Sequence, residues 1–196
     1  MGTLKGENIV KKYGKDKVLQ DVNIEIETGK IYGLIGRNGA GKTTLLSILT
    51  AQNPATEGTV TLDGQKVWEN EKALSKMCYS REIPQVTMFG PNSLKVKDYL
   101  ATAKAFYVHW DEEYAKHLVE LFNLNPKKRI SKLSKGMLSA VTIIVALASK
   151  ADITFLDEPV AGLDVVARMQ FYQLIRDEHE STGRTFIIST HIIKII

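Results

Sequence analysis

The sequence predicts an α/β fold: a mainly parallel sheet with helices on both faces, an antiparallel β subdomain and a small helical lobe. In the C-terminal half, helix-type runs alternate with short apolar strands, which is typical of parallel β-α-β units. These segments are 138–148, 153–156, 165–179 and 185–189. A further apolar strand at 31–35 leads through a glycine-rich turn into a helix-compatible run at 42–50. Strand, turn and helix in that order provide the backbone that a phosphate site needs.

The first 34 residues predict the antiparallel β subdomain. Residues 8–10 and the alternating run 18–26 have β-type patterns. Turn-forming residues at 13–14 and 28–30 interrupt them. Short connections of this kind join neighbouring antiparallel strands.

Residues of about 86–131 predict the small helical lobe. Apolar residues recur at helical spacing over 93–108 and 112–124. The acidic run 111–113 lies where a helix start favours negative charge. The basic run 127–129 is interpreted as a solvated loop, so we predict no nucleic-acid partner.

Length and composition restrict the chain to one medium domain. It has 196 residues, 44% of them hydrophobic, and a net charge of +4, which suits an ordinary globular core. The longest apolar run, 143–148, is far shorter than the ~20 residues of a membrane-spanning helix. The single Cys78 excludes an internal disulfide framework and a multi-cysteine metal site.

The glycine-rich turn matches the phosphate-binding pattern G-x-x-x-x-G-K-[ST] in full, which predicts a P-loop NTPase with a RecA-like sheet. Its glycines let successive backbone N–H groups point into a concave anion site at a helix N-terminus. Lys42 is predicted to reach the β- and γ-phosphates of ATP, and the Thr43 hydroxyl to bind Mg²⁺. The predicted nucleotide-binding residues of this loop are Gly36, Arg37, Asn38, Gly39, Ala40, Gly41, Lys42, Thr43 and Thr44.

Two adjacent acids end the predicted strand 153–156. Asp157 lies where it could hold a metal-bound water. Glu158 follows in the position for a base that polarises the attacking water. Together with the glycine-rich loop, this pair predicts an ATPase.

With these two motifs in place, nearly the whole chain resembles the ATP-binding cassette of ABC transporters. Residues 133–137, Leu-Ser-Lys-Gly-Met, resemble the Leu-Ser-Gly-Gly-Gln signature of that family. The resemblance implies that Ser134 and Gly136 contact the γ-phosphate of an ATP held by a second cassette. Ser134 is equally suited to cap a helix N-terminus. Lys135 and Met137 depart from the common signature, and Lys135 would either add positive charge near the partner's phosphates or point to solvent.

The resemblance assigns three further residues. Tyr13 corresponds to the aromatic residue that stacks on adenine, although a turn tyrosine packed on the sheet is the alternative. Asp164 is the acid of a loop at 161–164 that crosses between protomers. His191 corresponds to the switch histidine that contacts the γ-phosphate and holds Glu158.

The resemblance is weakest at the loop whose glutamine contacts Mg²⁺ and the membrane subunit in the family. Distance from the preceding strand at 77–79 selects Glu82, whereas residue identity selects Gln85. Both stay open as metal-site residues. Residues of about 83–99 would form the surface that receives a coupling helix of the membrane subunit.

The resemblance implies that 1–196 is a single cassette that binds MgATP, dimerises as a homo- or heterodimer around two nucleotides, and hydrolyses ATP. It would power a separate polytopic permease, of export type, and sit on the cytoplasmic membrane face through that permease. The alternative is a soluble cassette ATPase of the translation or DNA-repair kind. A GTPase is disfavoured because the chain contains no Asn-Lys-x-Asp motif.

Five residues follow His191, whereas cassettes of this family ordinarily continue with further strands and a helix. We therefore expect a truncated C-terminal end. A missing sheet edge would expose the apolar run 185–189 and weaken the positioning of His191. Low ATPase activity is expected for this chain alone.

Overall fold

The computed structural model describes residues 2–83 and 94–191. The strands of this part are β1 (Thr3–Tyr13), β2 (Asp16–Glu27), β3 (Ile31–Ile35), β4 (Glu57–Leu62), β5 (Gln65–Lys66), β6 (Met77–Ser80), β7 (Ile153–Asp157) and β8 (Thr185–Thr190). The α-helices are α1 (Lys42–Leu49), α2 (Glu71–Leu74), α3 (Val96–Lys104), α4 (Glu112–Leu121), α5 (Lys135–Ala148) and α6 (Val165–Thr182). The predicted fold class is confirmed, since the elements form one parallel sheet, one antiparallel sheet and a set of helices.

The parallel sheet has the strand order β3-β8-β7-β6. Every residue of β7 and β8 is buried, as expected for inner strands of a sheet covered on both faces. The expectation that 185–189 would be exposed is therefore wrong. Strand β8 pairs with β3 on one side and β7 on the other, so β3 and not β8 lies at that edge among the described strands.

The antiparallel sheet has the order β2-β1-β4-β5. Strands β1 and β2 form the predicted hairpin, whose last pair is Tyr13 with Asp16. Strands β4 and β5 are not predicted, because they are short and largely polar. At Gly58 the backbone has a φ of 93°, and a Cβ there would lie 2.4 Å from the carbonyl oxygen of Asn8. Only glycine therefore allows β4 to approach β1 so closely.

Helix α1 lies between the two sheets. Its residues Leu45, Leu46, Ile48 and Leu49 are buried in a cluster that also contains residues of β1, β2, β7 and β8. This burial is the main stabilisation of an eight-residue helix, which would be marginal in isolation. The N-terminus of α1, where the glycine-rich loop ends, is consequently held by both sheets.

The helical lobe contains α3 and α4, and its described part runs from residue 94. Asp111 caps α4 by accepting a hydrogen bond from the backbone N–H of Tyr114 at 2.9 Å, which agrees with the acidic helix start expected there. Helix α5 begins three residues before the predicted 138, because Ser134 caps it ahead of the apolar run. No helix in the described ranges combines the length and apolarity required to cross a bilayer.

Candidate functional site

The candidate site lies at the carboxyl-terminal edge of the parallel sheet. Strand β3 leads into the loop 36–43, β7 ends at Asp157, and His191 follows β8. Ser189 pairs with Leu34 on one side and with Asp157 on the other. Because the three strands are parallel, their polar end residues meet at one edge.

The glycine-rich loop forms a tight turn before α1. Gly39 and Gly41 have φ values of 80° and 90°, and the N–H of Ala40 donates to the carbonyl of Arg37 at 3.1 Å. A Cβ on Gly41 would lie 2.9 Å from Cδ2 of Leu19 in β2. The turn thus depends on glycine for conformation and for close packing.

The first turn of α1 begins directly at the end of this loop. Residues 37–40 and Thr43 are exposed, Gly36 and Thr44 are half-buried, and Lys42 is buried. The first N–H groups of an α-helix have no partner within the helix. The helix N-terminus and the loop together therefore have the geometry expected of an anion site, and the site itself stays a prediction.

The Lys42 ammonium lies inside the loop. Its Nζ donates to the carbonyl oxygens of Gly36 at 2.6 Å and Arg37 at 3.2 Å. It also lies 3.2 Å from Oε1 of Glu158. A buried cation needs such partners because desolvation disfavours the charge. The ammonium is thereby fixed between the two motifs that the sequence predicts.

Glu158 connects the remaining groups. Its Oε2 lies 2.8 Å from Nδ1 of His191, so the expectation that His191 would be weakly positioned is wrong. Oε1 has the ionic contact with Lys42 but no hydrogen-bond partner among the described residues. The backbone of Glu158 has a φ of 49°, an uncommon value for a residue with a side chain. Neighbouring groups therefore hold this carboxylate in place.

Asp157 is buried at the end of β7. Ser189 Oγ donates to its Oδ1 at 2.5 Å, and the Tyr79 hydroxyl donates to its Oδ2 at 3.4 Å. Burial, followed by the negative charge of Asp157, raises the pKa of Tyr79 above its ordinary value. Tyr79 consequently keeps its proton and stays a donor.

The oxygen donors of the site suit Mg²⁺. Asp157 and Thr43 supply a carboxylate and a hydroxyl, the hard ligands that this ion prefers. Within 2–83 and 94–191 no three His, Cys, Asp or Glu side chains are close enough to form a metal site. A pair of protein oxygens supplemented by water and phosphate is how Mg²⁺ is usually held in nucleotide sites.

Ser134 and Gly136 lie in the first turn of α5. Ser134 Oγ caps the helix by accepting from the N–H of Met137 at 3.3 Å. A Cβ on Gly136 would lie only 2.5 Å from the carbonyl oxygen of Gly162. The signature segment and the loop at 161–164 are therefore packed directly against each other.

Asp164 caps the next helix, α6. Its Oδ1 accepts from the N–H of Ala167 at 2.8 Å. Three apolar residues of the same helix are largely exposed beside it, namely Val165, Val166 and Met169. This end of α6 thus presents both an acid and apolar surface to solvent.

Lys135 contacts Glu82 of its own chain. Its Nζ lies 3.3 Å from Oε1 of Glu82, and both side chains are about half exposed. Lys135 thus has an ionic partner within its own chain while half of its side chain faces solvent, and a role near the partner's phosphates stays a prediction. Gln85, the other candidate beside Glu82, lies outside the described residues, so the choice between the two stays a prediction.

Tyr13 lies at the end of β1 with half of its side chain exposed. Its hydroxyl accepts from Nδ2 of Asn53 at 2.6 Å, and Lys11 Nζ lies 5.0 Å from the ring centroid. Asn53 follows α1, whereas the glycine-rich loop precedes it. A half-exposed ring suits base stacking, and the adenine role stays a proposal.

Two residues that contact Asp157 are missing from the sequence prediction. Tyr79 and Ser189 lie inside short strands that are identified by their hydrophobic residues, and hydrophobicity does not assign a function to a polar residue in such a strand. Ser189 could have been found by aligning the ends of the two parallel strands, because this alignment places it beside Asp157. Nothing comparable identifies Tyr79.

Comparison with known proteins gives matches over most of the chain. The family model described as ABC transporter matches residues 19–161. The ABC transporter ATP-binding protein YtrB of Bacillus subtilis strain 168 is 30% identical over 181 residues, covering 92% of this chain and 61% of the relative. The bacitracin transport ATP-binding protein BcrA of Bacillus licheniformis is 31% identical over 195 residues, which cover 98% of this chain and 63% of the relative. The chain thus spans about three fifths of the length of these two relatives.

A solved structure has the same fold. It is described as a dimeric bacterial ABC transporter cassette, with 25% identity, a TM-score of 0.80, and coverage of 97% of this chain and 88% of that one. The same cassette has been solved as a dimer in a post-hydrolysis state with ADP and Pi, with a TM-score of 0.79. The family match includes the glycine-rich loop, the Ser134 segment and both acids. This chain therefore belongs to the ABC transporter family and has the fold of its ATP-binding cassette.

Proposed function

We propose that this chain is an ATPase subunit that binds MgATP, pairs with a second cassette around two nucleotides and powers a separate membrane-spanning permease. The observation that carries the proposal is the convergence of Lys42, Glu158 and His191 at one sheet edge. Glu158 contacts the other two side chains at 3.2 Å and 2.8 Å. A cation for phosphate, a carboxylate for water and a histidine that holds the carboxylate are the parts that phosphoryl transfer to water needs.

Nucleotide binding would begin with a change of partners at Lys42. Its ammonium now contacts two loop carbonyls and Glu158. Phosphate oxygens carry more negative charge than these carbonyls and would compete for the same protons. Bound Mg²⁺ would neutralise charge on the β- and γ-phosphates, with Thr43, Asp157 and either Glu82 or Gln85 as protein donors.

Hydrolysis would then use both oxygens of Glu158. His191 holds Oε2, while Oε1 is buried without a hydrogen-bond partner in the described part of the chain. When Lys42 turns to phosphate, Oε1 is available to accept a hydrogen bond from a water and to orient it for attack. The general base is therefore held in place by its neighbours before the substrate arrives.

Pairing with a second cassette is supported by the surface that carries Ser134, Gly136 and Asp164. The N-terminus of α5 favours an anion, so it suits the γ-phosphate of a nucleotide bound by the partner. Tyr13 would stack on the adenine of the chain's own nucleotide. The exposed apolar end of α6 beside Asp164 suits a surface that is covered in the pair.

The permease and its location are inferred from the relatives. One matched relative is described as a bacitracin transport ATP-binding protein. By analogy, we propose an export-type system, in which this chain lies on the cytoplasmic face of the membrane through its permease. The surface proposed to receive a coupling helix, about 83–99, lies mostly outside the described residues.

Nucleotide titration tests the phosphate site. The purified chain is titrated with a fluorescent ATP analogue in the presence of Mg²⁺. Lys42→Ala is expected to abolish binding because it removes the buried cation. Lys116→Ala is the control, since this exposed lysine forms an ion pair within α4. Equal titration curves for Lys42→Ala and wild type would disprove the phosphate site.

Two further measurements test hydrolysis and the class of partner. In the assembled transporter, Glu158→Gln is expected to bind MgATP but to lose turnover, and turnover near wild type would remove Glu158 from the mechanism. Affinity purification from membranes is expected to recover a polytopic membrane protein. Recovery of ribosomes or DNA instead would favour the soluble cassette ATPase.

A further inference from the structure

We infer that the buried hydroxyl of Ser189 is a positioning element that fixes both acids of the site. The inference rests on the proposed ATPase function, because positioning acquires a catalytic meaning only with MgATP bound. Ser189 lies in the middle of the parallel sheet and has no exposed surface. It does not touch the nucleotide in this proposal and acts through Asp157 and Glu158.

One hydroxyl connects the two acids. Ser189 Oγ donates its proton to Oδ1 of Asp157 at 2.5 Å and accepts the backbone N–H of Glu158 at 2.9 Å. A hydroxyl has a single proton, so the direction of this hydrogen-bond chain is determined. A short bond from a neutral donor to a carboxylate is among the stronger hydrogen bonds in proteins.

The backbone at Glu158 explains why such a link is needed. Glu158 has a φ of 49°, in the left-handed region, which is unfavourable for a residue with a side chain because Cβ crowds the following carbonyl oxygen. Ser189 provides a hydrogen-bond partner for the N–H at the point where the chain leaves β7. The turn that directs the Glu158 side chain toward Lys42 and His191 is thus tied to the neighbouring strand.

Asp157 receives a second donor from the opposite strand. The Tyr79 hydroxyl on β6 donates to Oδ2, and its 3.4 Å distance makes it the weaker of the two bonds. Both oxygens of Asp157 are therefore oriented by donors from flanking strands. Hydrogen bonds of this kind to a metal-binding carboxylate typically change metal affinity by about 10–100-fold when removed.

The test measures the Mg²⁺ concentration that half-saturates the complex of the purified chain with a fluorescent, non-hydrolysable ATP analogue. Ser189→Ala is expected to raise this concentration about 10–100-fold. Binding of the same analogue in EDTA is expected to stay at the wild-type level, because Lys42 and the loop are unchanged.

Ser149→Ala is the matched control. Ser149 is equally buried, donates to the carbonyl of Ala146 at 2.8 Å and accepts the N–H of Ala151 at 3.3 Å, but it lies at the far end of α5. It reports the loss of a buried serine hydroxyl alone. Equal Mg²⁺ half-saturation for Ser189→Ala and Ser149→Ala would overturn the inference.

A second pair of variants holds shape constant. Threonine and valine are nearly isosteric and differ in the hydroxyl, and both suit a β-strand. Ser189→Thr is expected to need less Mg²⁺ than Ser189→Val, and equal values for the two would overturn the inference. If wild type itself binds no analogue, the proposed function fails. If wild type binds and no Ser189 variant changes the Mg²⁺ requirement, only the positioning role fails.

Discussion

Replacing Gly136 with alanine tests the contact between the signature segment and the loop at 161–164. The new Cβ would lie 2.5 Å from the Gly162 carbonyl oxygen and 3.3 Å from its carbonyl carbon. These are backbone atoms, which cannot rotate away as a side chain can. Inserting a methyl group into such a space typically costs about 1–3 kcal/mol, while alanine regains up to about 1 kcal/mol of helix propensity. We expect a net loss of about 1–2 kcal/mol in the free energy of unfolding.

Gly33→Ala is the matched control. The nearest atom to its added Cβ is Cγ1 of Ile35 at 4.0 Å, and Gly33 does not have a positive φ. This variant is expected to be neutral or to gain about 0.4–1 kcal/mol by restricting the unfolded chain. Both variants are compared with wild type by urea denaturation and by thermal melting. In a domain of this size, 1 kcal/mol corresponds to roughly 2–4 °C in Tm.

The outcome separates two descriptions of Gly136. If Gly136→Ala loses stability relative to Gly33→Ala, the glycine is required by packing within one chain, in addition to any contact with a partner's nucleotide. If the two variants are equally stable, the close approach to Gly162 does not exist in solution.

Three further predictions concern charges. A double-mutant cycle on Lys135→Ala and Glu82→Ala should give a coupling free energy of about 0.2–1 kcal/mol. This coupling should disappear at high salt because both side chains are about half exposed. Coupling that persists at high salt would contradict the prediction. Glu178→Ala should lower the free energy of unfolding, measured by urea titration, by about 3–5 kcal/mol. The reason is that the buried Arg184 loses its ionic partner at 2.9 Å. A loss of stability smaller than that of an ordinary surface variant would contradict the prediction. Burial, with the charge of Glu178 as a smaller cause, raises the pKa of Tyr114 to about 12. The contribution of neutral Tyr114 to the free energy of unfolding should therefore be fully present below about pH 10 and be lost as the pH rises from there toward 12. Tyr114→Phe should reduce the loss of stability over this pH range.

Most of the candidate site is predictable because its motifs are local. The loop 36–43 needs residues that are adjacent in sequence, and the chemistry of phosphate binding restricts their types. Asp157 and Glu158 follow from the end of an apolar strand in the same way. The structure brings both motifs to one sheet edge, where Lys42 contacts Glu158.

Contacts between distant segments are what the sequence does not predict. Lys135 and Glu82 are far apart in the sequence, and their 3.3 Å contact is visible only once the fold brings the two segments together. The sequence also does not predict which strand lies at the edge of the sheet, because the exposure of a strand depends on the order of the strands. Apolar content predicts that 185–189 is a strand, but only the pairing with β3 shows that it is an inner one.

Helix α1 lies between the two sheets and couples nucleotide binding to the stability of both. Its N-terminus faces the proposed phosphate site, and its apolar residues pack against both sheets. A ligand at 100 times its Kd stabilises the native state by about 2.7 kcal/mol. Because α1 packs against both sheets, ligand binding at its N-terminus should stabilise both of them. Amide hydrogens of β4, which carries neither a phosphate-binding group nor Tyr13 and whose Leu62 is buried in the same cluster as α1, should therefore exchange more slowly when nucleotide is bound. Strand β4 would then report nucleotide binding without contacting the nucleotide.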